Sequence, residues 1–207
     1  MTIGIVDYEL NNISSVKNAL DRLNCKNKIL KNIKDFKDVE AIILPGVGSY
    51  GEAINKLNKT RISAKIYEEI IIKKKPFLGI CLGMQLMSKI GNEGGVFKGL
   101  NLISGKVNKI PIKKNLKLPH VGWNNIKIIK NNPLFENIAN NSCFYFVHSY
   151  SYSCNKSNIS SITKYGSNIV SSIQKKKIFG VQFHPERSQK NGEILLSNFI
   201  KFCKNHA

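Results

Sequence analysis

The sequence predicts an α/β fold: a mixed, mainly parallel sheet flanked by helices. Three observations carry this prediction. Apolar, β-branched runs alternate with segments of helical periodicity through the first ninety or so residues. Two of those runs end at glycine-bearing turns, Pro45-Gly46-Val47-Gly48 and Gly79-Ile80-Cys81-Leu82-Gly83. Beyond Lys106 the helical pattern gives way to short β-type stretches and a single closing helix.

In chain order, residues 3–7 (Ile-Gly-Ile-Val-Asp) form a short strand of buried type. Val16, Leu20 and Leu23 recur at helical spacing and predict a helix over 13–23. Strands follow at 27–30 and at 41–44 (Ala-Ile-Ile-Leu), then helical patterns at 50–57 and 64–74. Residues 76–80 are a strand, and 82–90 a helix that starts at the turn. This order requires a parallel sheet covered by helices. In the second half, 106–110, 125–129, 144–148, 159–163, 169–173 and 178–183 read as strands of an appended mixed sheet. Residues 192–203 close the chain as a helix that buries Ile194, Leu195, Asn198 and Phe199. No linker or repeat interrupts it, so residues 1–207 are expected to form one domain with a sizeable core.

Composition narrows the class. Hydrophobic residues make up 42%, yet no apolar run approaches the roughly 18 residues of a membrane span. The N-terminus enters a strand without a basic or long apolar leader, so a soluble cytoplasmic protein with no membrane partner is expected. The cysteines at 25, 81, 143, 154 and 203 are odd in number, widely spaced and without a C-x-x-C pair. That argues against a disulfide framework and a zinc site, and neither metal nor cofactor is expected. The net charge of +19 raises nucleic-acid binding. However, the lysines are dispersed, and Arg22, Arg61 and Arg187 are the only arginines, the better phosphate readers. No nucleic-acid partner is expected.

The chemistry centres on Cys81. Strand, glycine-flanked cysteine and helix start make a G-x-nucleophile-x-G elbow with cysteine in the serine position. Such a turn lifts the side chain above the sheet, the helix start favours a thiolate, and the Leu82 N–H can serve an oxyanion. Alone, G-x-C-x-G is more often a chance pattern. Of the four histidines, His184 ends an apolar strand with Glu186 two residues on. A single histidine near proline is usually a turn residue. Two such residues at predicted strand ends can instead share one crevice at the carboxyl edge of a sheet. There His184 would act as base and Glu186 would orient it. The glycines of the Pro45–Gly48 turn let a further backbone N–H face the same crevice, although taken alone that turn reads as ordinary.

Gly79-Ile80-Cys81-Leu82-Gly83-Met84-Gln85-Leu86 and Val181-Gln182-Phe183-His184-Pro185-Glu186 resemble the class I (triad) glutamine amidotransferases. Pro45–Gly48, Pro119-His120-Val121-Gly122-Trp123-Asn124 and Tyr145-Phe146-Val147-His148-Ser149-Tyr150 narrow the resemblance to the glutaminase subunits of imidazole glycerol phosphate synthases. It spans nearly the whole chain. It implies a flavodoxin-like single domain and a catalytic triad of Cys81, His184 and Glu186. It implies an oxyanion hole of Leu82 and, after a peptide reorientation, Val47. It implies glutamine contacts at Gly46, Gly48, Gln85, Ser149 and Tyr150.

The resemblance also implies a heterodimer with a (β/α)8-barrel cyclase, which uses the ammonia to make imidazole glycerol phosphate and an aminoimidazole carboxamide ribotide in histidine biosynthesis. Asn12, His120, Trp123, Asn124 and Arg187 would lie at that junction. Packed aromatics are the commoner reading of a tryptophan such as Trp123. The chain departs from the family at Asp7-Tyr8-Glu9-Leu10-Asn11-Asn12, where Glu9 and Asn11 replace two glycines. Because that loop faces the partner in the family, a paralogous glutaminase serving sugar or polysaccharide amination is an alternative. A stand-alone cysteine hydrolase of the same fold is a further one.

Overall fold

The computed structural model describes residues 1–10, 12–111 and 116–206. Strand β1 (Ile3–Val6) is buried along its whole length, as an apolar run between two helical layers must be. Helix α1 (Ile13–Arg22) buries Val16, Ala19 and Leu20, an i, i+3, i+4 stripe. Next come β2 (Asn27–Leu30), β3 (Ala41–Gly46), α2 (Tyr50–Lys59) and α3 (Ile62–Tyr67), which runs into a π-helical turn at Glu68–Ile72. Then β4 (Phe77–Cys81) leads straight into α4 (Leu82–Leu86). The second half holds β5 (Ile90–Gly91), β6 (Phe97–Lys98), β7 (Gly105–Lys109), β8 (His120–Ile128), β9 (Cys143–His148) and β10 (Tyr150–Cys154). It ends with β11 (Ile159–Tyr165), β12 (Ser167–Lys175), β13 (Ile178–Val181) and α5 (Gln189–His206).

Among the described residues, nine strands form one mixed sheet in the order β2-β1-β3-β4-β13-β12-β11-β8-β9. The run from β2 to β13 is parallel, and the remainder antiparallel. Side chains alternate between two cores. Ile42, Leu44 and Phe77 pack on one face with Tyr50, Leu57 and Met84. Ile43, Leu78 and Ile80 pack on the other with Val16, Phe179 and Phe199.

Several elements differ from the sequence prediction. The helix expected over 82–90 stops at Leu86, because the carbonyls of Leu86 and Met87 accept from Leu100 and Leu102 N–H, both at 2.9 Å. Ile90 and Gly91 instead enter a second sheet, β10-β7-β5-β6, which the sequence did not announce. Strand β8 starts at His120 rather than 125, and α5 buries Leu195, Asn198 and Phe199 but leaves Ile194 half-buried. Among the described residues, no helix is long and apolar enough to cross a membrane.

Glu69, in the π-helical turn, is 1% exposed. Its carboxylate meets Lys65 Nζ at 2.9 Å, Lys73 Nζ at 2.7 Å and Lys75 Nζ at 2.5 Å. Burial alone would raise its pKa, but the three ammonium groups outweigh it and hold the carboxyl down to about 2. A depressed folded-state value stabilises above the ordinary 4.5 and fades as pH falls toward 2. Glu69→Gln is therefore expected to lose about 1.5–3 kcal/mol at pH 7 in urea unfolding. The gap to wild type should close on acidification through that window.

Candidate active site

Cys81 adopts φ 53° and ψ −110°, a backbone that side-chain-bearing residues rarely take. Its neighbours compel it. A β-carbon on Gly83 would lie 1.7 Å from Leu44 O, and one on Gly79 would lie 2.8 Å from Gly83 O. Only glycines let α4 press this closely against β3 and β4, and the chain must turn sharply at Cys81 to do so. The parallel registers set Gly46 beside Cys81 and Val181 beside Ile80. The segment after β13 therefore carries Gln182 and His184 past the carboxyl end of β4.

His184 is 3% exposed, and its Nδ1 lies 2.7 Å from Glu186 Oε1. A carboxylate can only accept, so Nδ1 carries the proton. The loop is pinned by His184 N–H donating to Tyr145 O at 2.9 Å and by Ser188 Oγ donating to His184 O at 2.6 Å. Burial works against a charged imidazole here, but the Cys81 sulfur and Glu186 together raise its pKa well above the ordinary value. Cys81 Sγ lies 3.7 Å from Val147 O and 3.8 Å from Gln182 Nε2. Sulfur and imidazole open on a cleft of about 250 Å³, lined also by Gly48, Leu82, Gln85, Glu93, Ser149 and Tyr150. A thiol facing an imidazole–carboxylate pair in such a cleft can carry out nucleophilic acyl transfer.

Residues 4–202 match the model of the family described as glutamine amidotransferase class-I. The chain is 45% identical over 199 residues to imidazole glycerol phosphate synthase subunit HisH 1 of Campylobacter jejuni (strain 81-176), covering 96% of this chain and 99% of that protein. It is 46% identical to subunit HisH of Haemophilus influenzae (strain Rd), covering 97% and 98%. The chain belongs to the class-I glutamine amidotransferases, within the HisH family. Among solved structures, PurLQS from Thermotoga maritima shares the fold at 18% identity and a TM-score of 0.77, covering 97% of this chain and 98% of that one.

Within this amidotransferase domain the other expected residues fall into three groups. Gly48, Gln85, Ser149 and Tyr150 line the cleft with Val47 and Leu82, while Gly46 is buried beneath it. Leu82 is the first residue of α4. The Val47 N–H donates to Leu10 O at 3.1 Å, so it is committed to the neighbouring loop and not to the cleft. Outside the cleft lining, Trp123 (47% exposed) stands edge-on to Tyr145, and exposed Arg187 lies 5.9 Å from the Tyr145 ring centre. Asn12 caps α1 without a side-chain bond, and Asn124 is half-buried.

His120, expected at the partner junction, lies inside the chain. It is 3% exposed, stacked between Phe146 and Tyr165, and bonded to His148 at 3.0 Å and to Asn124 at 3.1 Å. In the loop at Glu9, φ is +68°, the N–H bonds Asp7 Oδ1, and the carboxylate reaches Lys56 at 3.2 Å. Asn11 lies outside the described residues. Sequence reasoning missed Glu93, which brings a carboxylate to the cleft while accepting from Tyr50 N–H at 2.8 Å. It also gave no role to Gln182 or His148.

Two expectations follow. Gly83→Ala should lower stability by about 1–3 kcal/mol or more in thermal or urea unfolding, since the Leu44 backbone must move. Glu186→Gln should lower the pH at which His184 loses its proton, read from imidazole NMR signals. With the wild-type value raised, any stabilisation from the charged ring is complete below the ordinary 6.5 and lost only as pH climbs through the raised value. In the variant that loss should begin at lower pH.

Proposed function

We propose that this chain is the glutaminase subunit of an imidazole glycerol phosphate synthase. In this reading Cys81, His184 and Glu186 hydrolyse glutamine, and the ammonia passes to a cyclase subunit of (β/α)8-barrel type in a heterodimer. The observation that carries it is the buried His184–Glu186 pair set against Cys81 at one cleft. Its support comes also from full-length relatives named as HisH subunits of that synthase.

The chemistry runs as two acyl transfers. The thiol proton of Cys81 moves to His184 Nε2, and the sulfur attacks the side-chain amide carbon of glutamine. The oxyanion is held by backbone N–H groups of Leu82 and Val47. The imidazolium then gives its proton to the departing nitrogen, releasing ammonia and leaving a glutamyl thioester. Water, deprotonated by His184, cleaves the thioester to glutamate and restores the thiol. Glu186 keeps Nδ1 protonated throughout, so Nε2 always faces the reacting atoms. Gln85, Ser149 and Tyr150 would contact the substrate, and Glu93 offers the carboxylate suited to its α-ammonium group.

The Val47 N–H must first leave Leu10 O. That requirement favours a glutaminase switched by a docked partner over a stand-alone hydrolase. The exposed apolar side chains Val47, Val121 and Trp123 (39%, 56% and 47%) supply a surface for such docking, with Arg187 as a cation at its edge.

Cys81→Ala is expected to abolish glutamine-dependent synthesis with the cognate cyclase while ammonium salts still support the cyclase. Retained glutamine hydrolysis in the variant would overturn the mechanism. Absence of glutamine-dependent turnover by the wild-type pair would overturn the pathway.

A further inference from the structure

Gln182 has 0% exposure, and the triad chemistry makes no use of it. Its side chain bridges two parts of the site. Oε1 accepts from Gln85 Nε2 at 3.0 Å, and Nε2 lies 3.8 Å from Cys81 Sγ. The amide cannot be turned round. Gln85 Nε2 is also 3.0 Å from Tyr150 O, a carbonyl that can only accept. Gln85 therefore presents its NH2 on this side, and Gln182 must answer with oxygen. That leaves the Gln182 NH2 facing the sulfur. The backbone supports the same pose, since Gln182 N–H donates to Ser171 O at 2.9 Å.

The sulfur has a second polar neighbour, Val147 O at 3.7 Å. A carbonyl oxygen suits an S–H donor and repels a thiolate. An amide N–H does the opposite. The two neighbours thus favour different protonation states of the same atom. We propose that Gln182 is a dedicated N–H donor to the Cys81 thiolate, favouring ionised sulfur and holding it in the elbow until it attacks. This rests on the reading of Cys81 as the nucleophile. A group that only filled space would not need its amide oriented by Gln85 and Tyr150.

The test is alkylation of Cys81 by iodoacetamide across pH, followed by peptide mass, with Cys25, Cys143, Cys154 and Cys203 as internal controls. Gln182→Met and Gln182→Leu keep bulk and supply no donor. In either, the Cys81 curve should move to higher pH by about one unit, and kcat for glutamine with the cognate cyclase should fall about tenfold. A KM effect without a displaced curve would mean that only Gln85 had been disturbed, and would overturn the proposal.

If neither variant folds, the wild type still decides. The Gln182 side-chain amide resonances should titrate in step with Cys81 and stop doing so in Cys81→Ser. Resonances indifferent to Cys81 would overturn the proposal. Failure of the underlying reading looks different, because glutamine turnover would then survive in Cys81→Ala.

Discussion

A β-carbon on Gly83 would sit 1.7 Å from the carbonyl oxygen of Leu44, and this contact sets the position of Cys81. With no side chain at 83, α4 lies directly on the end of β3. The chain has no room for a gradual exit from β4, so Cys81 takes up the turn at φ 53°. Such a backbone costs on the order of 1–3 kcal/mol. The cost is carried by β4, buried at every residue and hydrogen-bonded on both sides by parallel neighbours. Those neighbours deliver the other parts of the site. Strand β3 ends in the Gly46–Gly48 turn and β13 runs on to Gln182 and His184, so one packing contact aligns three segments distant in sequence.

Three buried histidines near that edge face opposite fates because of their partners. Tyr150 O can only accept, so His148 Nδ1 donates to it at 2.8 Å, and His148 Nε2 must accept from His120 Nδ1. His120 Nε2 in turn accepts from Asn124 Nδ2. Each ring needs only one proton, no carboxylate among the described residues bonds to either, and burial holds both down to about 4. His184, equally buried, has Glu186 on one side and the Cys81 sulfur near the other, and its pKa goes up. Burial makes each outcome decisive, since an interior of low polarity magnifies whatever charge is close by. The neutral pair is suited to holding the 148–150 segment over Cys81, and the charged one to moving protons.

The parallel core was legible from sequence because strands covered on both faces must be apolar throughout, and Ala41–Leu44 and Phe77–Ile80 are. The motif around Cys81 and the His184–Glu186 pair were legible because their spacing is local. The second sheet was not. Its strands β5 and β6 have two residues each, and β10 alternates serine with tyrosine and ends in cysteine, a pattern that also fits a loop. The short α4 escaped because its last carbonyls are capped by Leu100 and Leu102, a long-range event. Glu93 lies in a polar, glycine-rich stretch that announces only a turn. Gln182 stood in plain view within a motif, but the direction of its amide depends on Gln85 and Tyr150. His120 was recognised by its motif, while its burial depends on Phe146 and Tyr165 closing over both ring faces.

The loop that departs from the family pattern bears directly on the proposed oxyanion hole. Leu10 O, which holds the Val47 N–H, follows Glu9 immediately. The N–H of residue 9 donates to Asp7 Oδ1, as a glycine's would, and the exposed Glu9 carboxylate adds a contact to Lys56 on α2. A backbone hydrogen bond contributes a net 0.5–1.5 kcal/mol or about that, so releasing Val47 is a modest step. It is also one that a partner can offset by burying Val47 and Trp123, whose exposed apolar area is otherwise unfavourable in water.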